Sequence, residues 1–244
     1  MKKVFIGLFL IGFISLAFGA SMPMIDLSIA PLTQPAQFVK TINIAIILAL
    51  IVLAPTLLLM VTSFTRLIIV FGFLRQALGM QQSPPNQILI SLALIMTIFI
   101  MEPYAKKSYN DAIVPYMNKK ISYEVAFKRG SEPFKKFMLK NTREKDLALF
   151  YRIKKEKNPK NIQAVSLTVL MPAFMVSELR TAFEIGFLIF LPFLVIDIVV
   201  ASILMSLGMM MLPPVMISLP IKIIFFIIID GWSLVIGNLA QSFK

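Results

Sequence analysis

The sequence predicts an all-α membrane protein built from two helical hairpins, four membrane segments in all, with a small helical insert outside the membrane. Three observations carry this. Hydrophobic residues make up 58% of the 244 and charged residues only 15%, against roughly one quarter charged in soluble domains. The apolar residues are gathered into blocks approaching the ~20 residues that cross a bilayer as helix, not spread as amphipathic stripes. The basic excess is confined: of 24 Lys and Arg, 16 lie between Glu102 and Val165, beside seven acids. A net charge of +12, which on a folded basic face would point to nucleic acid, therefore belongs to one polar insert, and no nucleic-acid partner is expected.

Composition also removes chemistry. The chain has no Cys and no His, so thiol nucleophiles, disulfides, Ser-His-Asp triads and the usual zinc ligands are excluded together. No GxxxxGK[ST] phosphate loop is present. The expectation is a protein that is not an enzyme, with no cofactor and no metal.

Residues 1–19 read as a cleavable signal peptide: Lys2 and Lys3 form the basic start, Val4 to Leu16 the apolar centre, and Ala17-Phe18-Gly19 the small-x-small site before Ala20. The alternative is one more N-terminal membrane helix, for which the apolar centre is short. Residues 20–41 then form an N-terminal segment in the periplasm.

The first hairpin covers residues 42–101. Its first span, Ile42 to Phe64, is interrupted only by Pro55 and runs without a breaker to Arg75; Pro84-Pro85 makes the turn and Asn86 caps the next helix. The second run, Ile88 to Met101, stops at Glu102-Pro103. At 1.5 Å per residue it reaches about 21 Å, short of the ~30 Å hydrocarbon thickness, so either Gln87 and Tyr104 lie within the membrane edge or protein neighbours shelter the hairpin, and both point to an assembly.

Residues 102–161 are the basic insert, read as a small helical domain; its aromatic content argues against the alternative, a disordered linker. Ser131-Glu132-Pro133 marks one helix start, and Asn141 with Glu144 a capping arrangement before another. Residues 162–184, apolar but broken by Glu178, Arg180 and Glu184, form an amphipathic helix. Residues 185–244 are the second hairpin: Ile185 to Leu207, the turn Met209-Met210-Met211-Leu212-Pro213-Pro214, and Val215 to Ile229, leaving the hydrocarbon at Asp230-Gly231-Trp232.

Asp197 and Lys222 stand inside apolar segments, where an unpaired charge costs about 2.5–3.5 kcal/mol on insertion scales. They are candidates for a structural ion pair, within one chain or between copies. An ion relay is the sharper alternative, and one Asp without other aligned titratable groups makes a poor relay. Met209, Met210 and Met211 cannot all face one way, and their flexible, polarizable side chains suit an adaptable seal; plain apolar filling is the bland reading.

Three stretches are similar to the FliP family of flagellar type III export-gate proteins. They are Leu59 to Val70 continuing through Arg75 to Pro84-Pro85-Asn86-Gln87; Pro172 to Phe187, with Glu178 and Gly186; and Gly208 to Pro214, followed by Ser218 to Lys222 and Asp230-Gly231-Trp232. The resemblance marks Arg66, Arg75, Pro84, Pro85, Pro172, Glu178, Gly186, Pro213 and Pro214 as structural motif residues. It implies an inner-membrane gate in which a pentamer of such chains winds with FliQ-like and FliR-like subunits around a pore for unfolded export substrates. Other export-apparatus and basal-body proteins are implied as neighbours. The methionine turns would then form a gasket about the axis. Related SctR-type subunits serve virulence injectisomes, the nearest alternative. A small-solute transporter is a further one, disfavoured because the two hairpins share no evident repeat.

Overall fold

In the computed structural model, residues 35–80, 82–156, 165–209 and 212–243 are described. The signal-peptide reading, the start of the periplasmic segment, and Met210 and Met211 lie outside these residues. The chain divides into two units, residues 1–52 and 53–244. In the first, the described part is the beginning of α1 (Pro35–Met60), with the apolar stretch Ile42–Leu53.

The described residues form helices throughout: α2 (Phe64–Ala77), α3 (Asn86–Ser108), α4 (Val114–Met117), α5 (Tyr123–Asn141), α6 (Glu144–Ile153), α7 (Leu167–Ser206), α8 (Pro214–Ile228) and α9 (Gly231–Gln241). A π-helical turn, Tyr109–Ile113, joins α3 to α4. Among the described residues two helices are long and apolar enough to cross a membrane: Asn86–Met117, with 32 residues, and α7, with 40. The pair α8 and α9, bent by 65°, is a third if counted as one broken span.

The boundaries differ from the sequence expectation in four places. The run from Ile42 to Arg75 is not unbroken: α1 ends at Met60 and α2 starts at Phe64. Thr62 makes the break, its hydroxyl donating to the Leu59 carbonyl at 2.8 Å and accepting from the Phe64 N–H at 3.4 Å, so that it competes with the helical ladder. Glu102-Pro103 does not stop the second run. The Glu102–Lys106 pair, at 2.5 Å, and the edge-to-face contact of Tyr104 with Phe137 hold the turn that contains Pro103.

Ser131-Glu132-Pro133 is likewise no helix start but the middle of α5, which is capped by Ser122. A helix does begin at Glu144. Asn141, however, closes α5 instead of capping α6, with its amide donating to the Phe137 carbonyl at 2.9 Å. Finally, residues 162–184 and 185–207 are not separate elements: α7 runs through Pro172 and Pro192 for about 60 Å.

α2 packs along α7, with α3 on its other side; α5 and α6 dock on α7, and α8 returns against it. One core joins Leu67, Val70 and Phe71 of α2 to Phe137 and Met138 of α5, Tyr151 of α6, Leu170 and Phe174 of α7, and the terminal Phe243. The basic insert therefore shares its apolar interior with the apolar helices and does not fold around a core of its own. At Gly186, a Cβ would come within 2.5 Å of the Phe73 ring, so α2 and α7 approach as closely as they do only because no side chain stands there.

Candidate functional site

Arg66, in the first turn of α2, is 3% exposed and saturates all five of its N–H donors. Nε and Nη2 close on the two carboxylate oxygens of Glu178 at 2.8 and 2.5 Å. Nη1 reaches the Ser242 carbonyl at 3.1 Å and its hydroxyl at 2.8 Å, and Nη2 also reaches Asn141 Oδ1 at 3.4 Å. The guanidinium lies 3.8 Å above the Phe243 ring. One side chain thus ties together α2, the end of α5, the middle of α7 and the C-terminal residues. The planar fork of Arg is suited to this, because it matches a carboxylate with two parallel bonds.

Next to it, Ser177 donates to Asp146 of α6 at 2.6 Å and accepts from the Arg143 N–H at 3.0 Å. The Arg143 guanidinium pairs with Glu184, which also accepts from Arg180. Ser177 and Glu184 of α7 therefore receive the polar edge of the insert.

The second charge pair, with a buried lysine and a half-buried aspartate, lies further along α7. Lys222 of α8, 3% exposed, meets Asp197 at 2.6 Å. Ser218 donates to the other carboxylate oxygen at 2.6 Å. Lys222 also donates to the carbonyl of Ala77 at 3.1 Å, where the negative end of the α2 dipole favours a cation. The structure thus brings Asp197 and Lys222 together within one chain.

The remaining motif residues shape turns. Arg75 donates to the Pro84 carbonyl at 3.2 Å and to Asn86 Oδ1 at 2.7 Å, and so holds the loop containing Pro84 and Pro85 against α2. Pro172 lies inside α7 and Gly186 under Phe73. Gly208, at φ +73°, ends α7: its N–H bonds the Met205 carbonyl and the Met209 N–H bonds that of Leu204, both at 3.0 Å, the arrangement in which glycine closes a helix. Met209 is exposed just beyond it, and Pro213 and Pro214 open α8.

Sequence reasoning paired Asp197 with Lys222 but left Arg66 and Glu178 as separate motif residues. It also missed Asn141, Asp146, Ser177, Ser218 and Ser242 as their partners. A signal for the first omission was present: Arg66 and Glu178 are each flanked by apolar runs, and opposite charges so placed must find each other or water. No such signal exists for the Ser and Asn contacts, which depend on tertiary register.

Among the described residues no cluster of carboxylates could hold a metal. Among the described residues the charged groups of both pairs are met by neighbouring side chains and carbonyls, and the Ser63 hydroxyl is the one buried side-chain polar atom without a hydrogen bond. Such an arrangement is architectural, and it defines a helical membrane protein whose charged groups brace apolar helices. The sequence model of the FliP family matches residues 47–239, and the chain belongs to that family. It is 50% identical over 211 residues to the flagellar biosynthetic protein FliP of Bacillus subtilis (strain 168), covering 86% of this chain and 96% of that one. The proteins of the same name from Pectobacterium carotovorum subsp. carotovorum and Caulobacter vibrioides are also 50% identical. They cover 87% and 84% of this chain, and 83% and 77% of their own lengths.

Proposed function

We propose that this chain is a structural subunit of the flagellar type III protein-export gate in the bacterial inner membrane. Several copies, five by the family pattern, assemble with FliQ-like and FliR-like subunits into the channel through which unfolded flagellar proteins leave. The observation that carries the reading is the match to the FliP family along most of the chain, mixed polar and apolar motifs included. The exposed apolar side chains of α7 and α8, among them Phe187, Leu191, Val195, Ile198, Ile224 and Ile228, fit burial against further subunits or lipid.

In this reading the two hairpins supply four membrane segments, packed against neighbouring subunits. The mature N-terminus and the basic insert are periplasmic, and the methionine turn faces the pore. The insert is long enough to escape the positive-inside rule, which governs loops up to about 60 residues. Deleting the coding sequence should abolish both motility and the appearance of flagellar proteins in the medium. Extraction of the tagged chain in mild detergent should recover a large complex containing FliQ-like and FliR-like chains. Normal flagella in the deletion strain, or a monomer binding a small solute, would overturn the proposal.

A further inference from the structure

The α4–α5 hairpin ends in an aromatic ladder that no other described residue covers. Tyr116 meets Tyr123 edge-on at 6.4 Å between centroids, and Tyr123 stacks with Phe127 at 6.4 Å. Tyr123 is 68% exposed and Phe127 63%, with Met117 and Ile113 beside them in sequence and also exposed. On α5 these rings continue the stripe that further along carries Phe134, Phe137 and Met138, and there the stripe is packed into the core. The first turns of α5 thus extend a burial face past the point where the described residues have anything to lay on it.

Charge indicates what covers it. Between Tyr116 and Arg129 the chain carries Lys119, Lys120, Lys128 and Arg129 against the single acid Glu124. None of the four bases forms an ion pair among the described residues. A second copy of this chain, itself strongly basic, offers poor complementarity. Height argues against lipid: the tip at Met117 stands 16 residues beyond Met101, the end of the apolar run, or about 24 Å further along one continuous helix.

We infer that the hairpin tip is a docking surface for a different protein chain that presents acidic residues around an apolar or aromatic centre and stands clear of the bilayer. The rings supply rigid contact area at low entropic cost, and the lysines steer and orient the partner.

A photoreactive phenylalanine analogue placed at Tyr123 or at Phe127 in the full chain, in its native cells, tests this, with Lys140 on the same helix as control. The expected product is a covalent adduct with another protein through a peptide of net negative charge. Joint charge reversal, Lys119→Glu, Lys120→Glu and Lys128→Glu, should lower its yield about tenfold at unchanged membrane abundance. Should that variant fail to accumulate, the three Lys→Gln changes are read in the same way with a smaller expected loss. Adducts with lipid, with a second copy or with a non-acidic peptide would overturn the inference. So would a yield no higher than at Lys140, or one insensitive to the charge changes.

Discussion

Arg66 and Glu178 lie 112 residues apart in sequence and close a two-pronged ion pair in the interior of the second unit. Neither has access to water, so each is tolerable only because of the other. Replacing a buried pair with apolar residues is often harmless, whereas removing one partner strands a charge and costs about 3–5 kcal/mol. Glu178→Gln is therefore expected to lower the Tm of the detergent-solubilised chain by about 10 °C. The double change Arg66→Met with Glu178→Leu should be less damaging than Glu178→Gln. A double variant as unstable as the two losses added would show that the pair is not the brace.

The Asp197–Lys222 contact makes a second prediction with a different outcome. Asp197→Ala leaves Lys222 with the Ala77 carbonyl, while Lys222→Ala leaves Asp197 with the Ser218 hydroxyl. Each single change should impair assembly more than membrane insertion. The double variant should be milder than the sum of both by about 0.5–3 kcal/mol, the range measured for residues in contact. Additive losses in complex yield, followed by size-exclusion chromatography, would remove the pairing.

The contact at Gly186 is steric. Gly186→Ala places a methyl group against the Phe73 ring, which itself packs edge-on against Phe183. The expected cost is about 1–3 kcal/mol, as for overpacked cores. Adding Phe73→Ala should recover part of the lost thermal stability, and a fall in Tm that the second change deepens would place the strain elsewhere.

For the methionine turn, changing Met209, Met210 and Met211 together to Ala should leave the complex assembled and exporting at least in part. The membrane should nevertheless become leaky to ions, because Ala cannot fill and reshape an aperture as Met does. Conductance of the purified complex in planar bilayers measures this. An unchanged conductance in a properly assembled complex would reduce these residues to packing.

Much of the class was legible in composition and in the blocks of apolar residues, since both depend on local content alone. Asp197 and Lys222 were legible for the same reason, a charge in an apolar run being conspicuous. Boundaries were not: Pro103 and Pro133 lie within helices because tertiary contacts outweigh one missing hydrogen bond, while Thr62, an ordinary residue by propensity, ends a helix with its side chain. Glu178 and Glu184 looked like features of an amphipathic surface. Their true partners are Arg66 of α2 for Glu178 and Arg143 of the insert for Glu184, and the register of those elements against α7 is encoded in no local pattern.

The continuity of α7 has a mechanical consequence. Its N-terminal half carries the docked insert, and its C-terminal end carries the methionine turn, with no joint between them in 40 residues. A strut of about 60 Å that tilts by about five degrees about one end moves the other by about 5 Å, close to one helical turn. A tilt of α7 would therefore reach its far end at Ser206 as lateral travel, and the Arg66–Glu178 and Asp197–Lys222 pairs, set at two heights on the strut, would make α2 and α8 tilt with it.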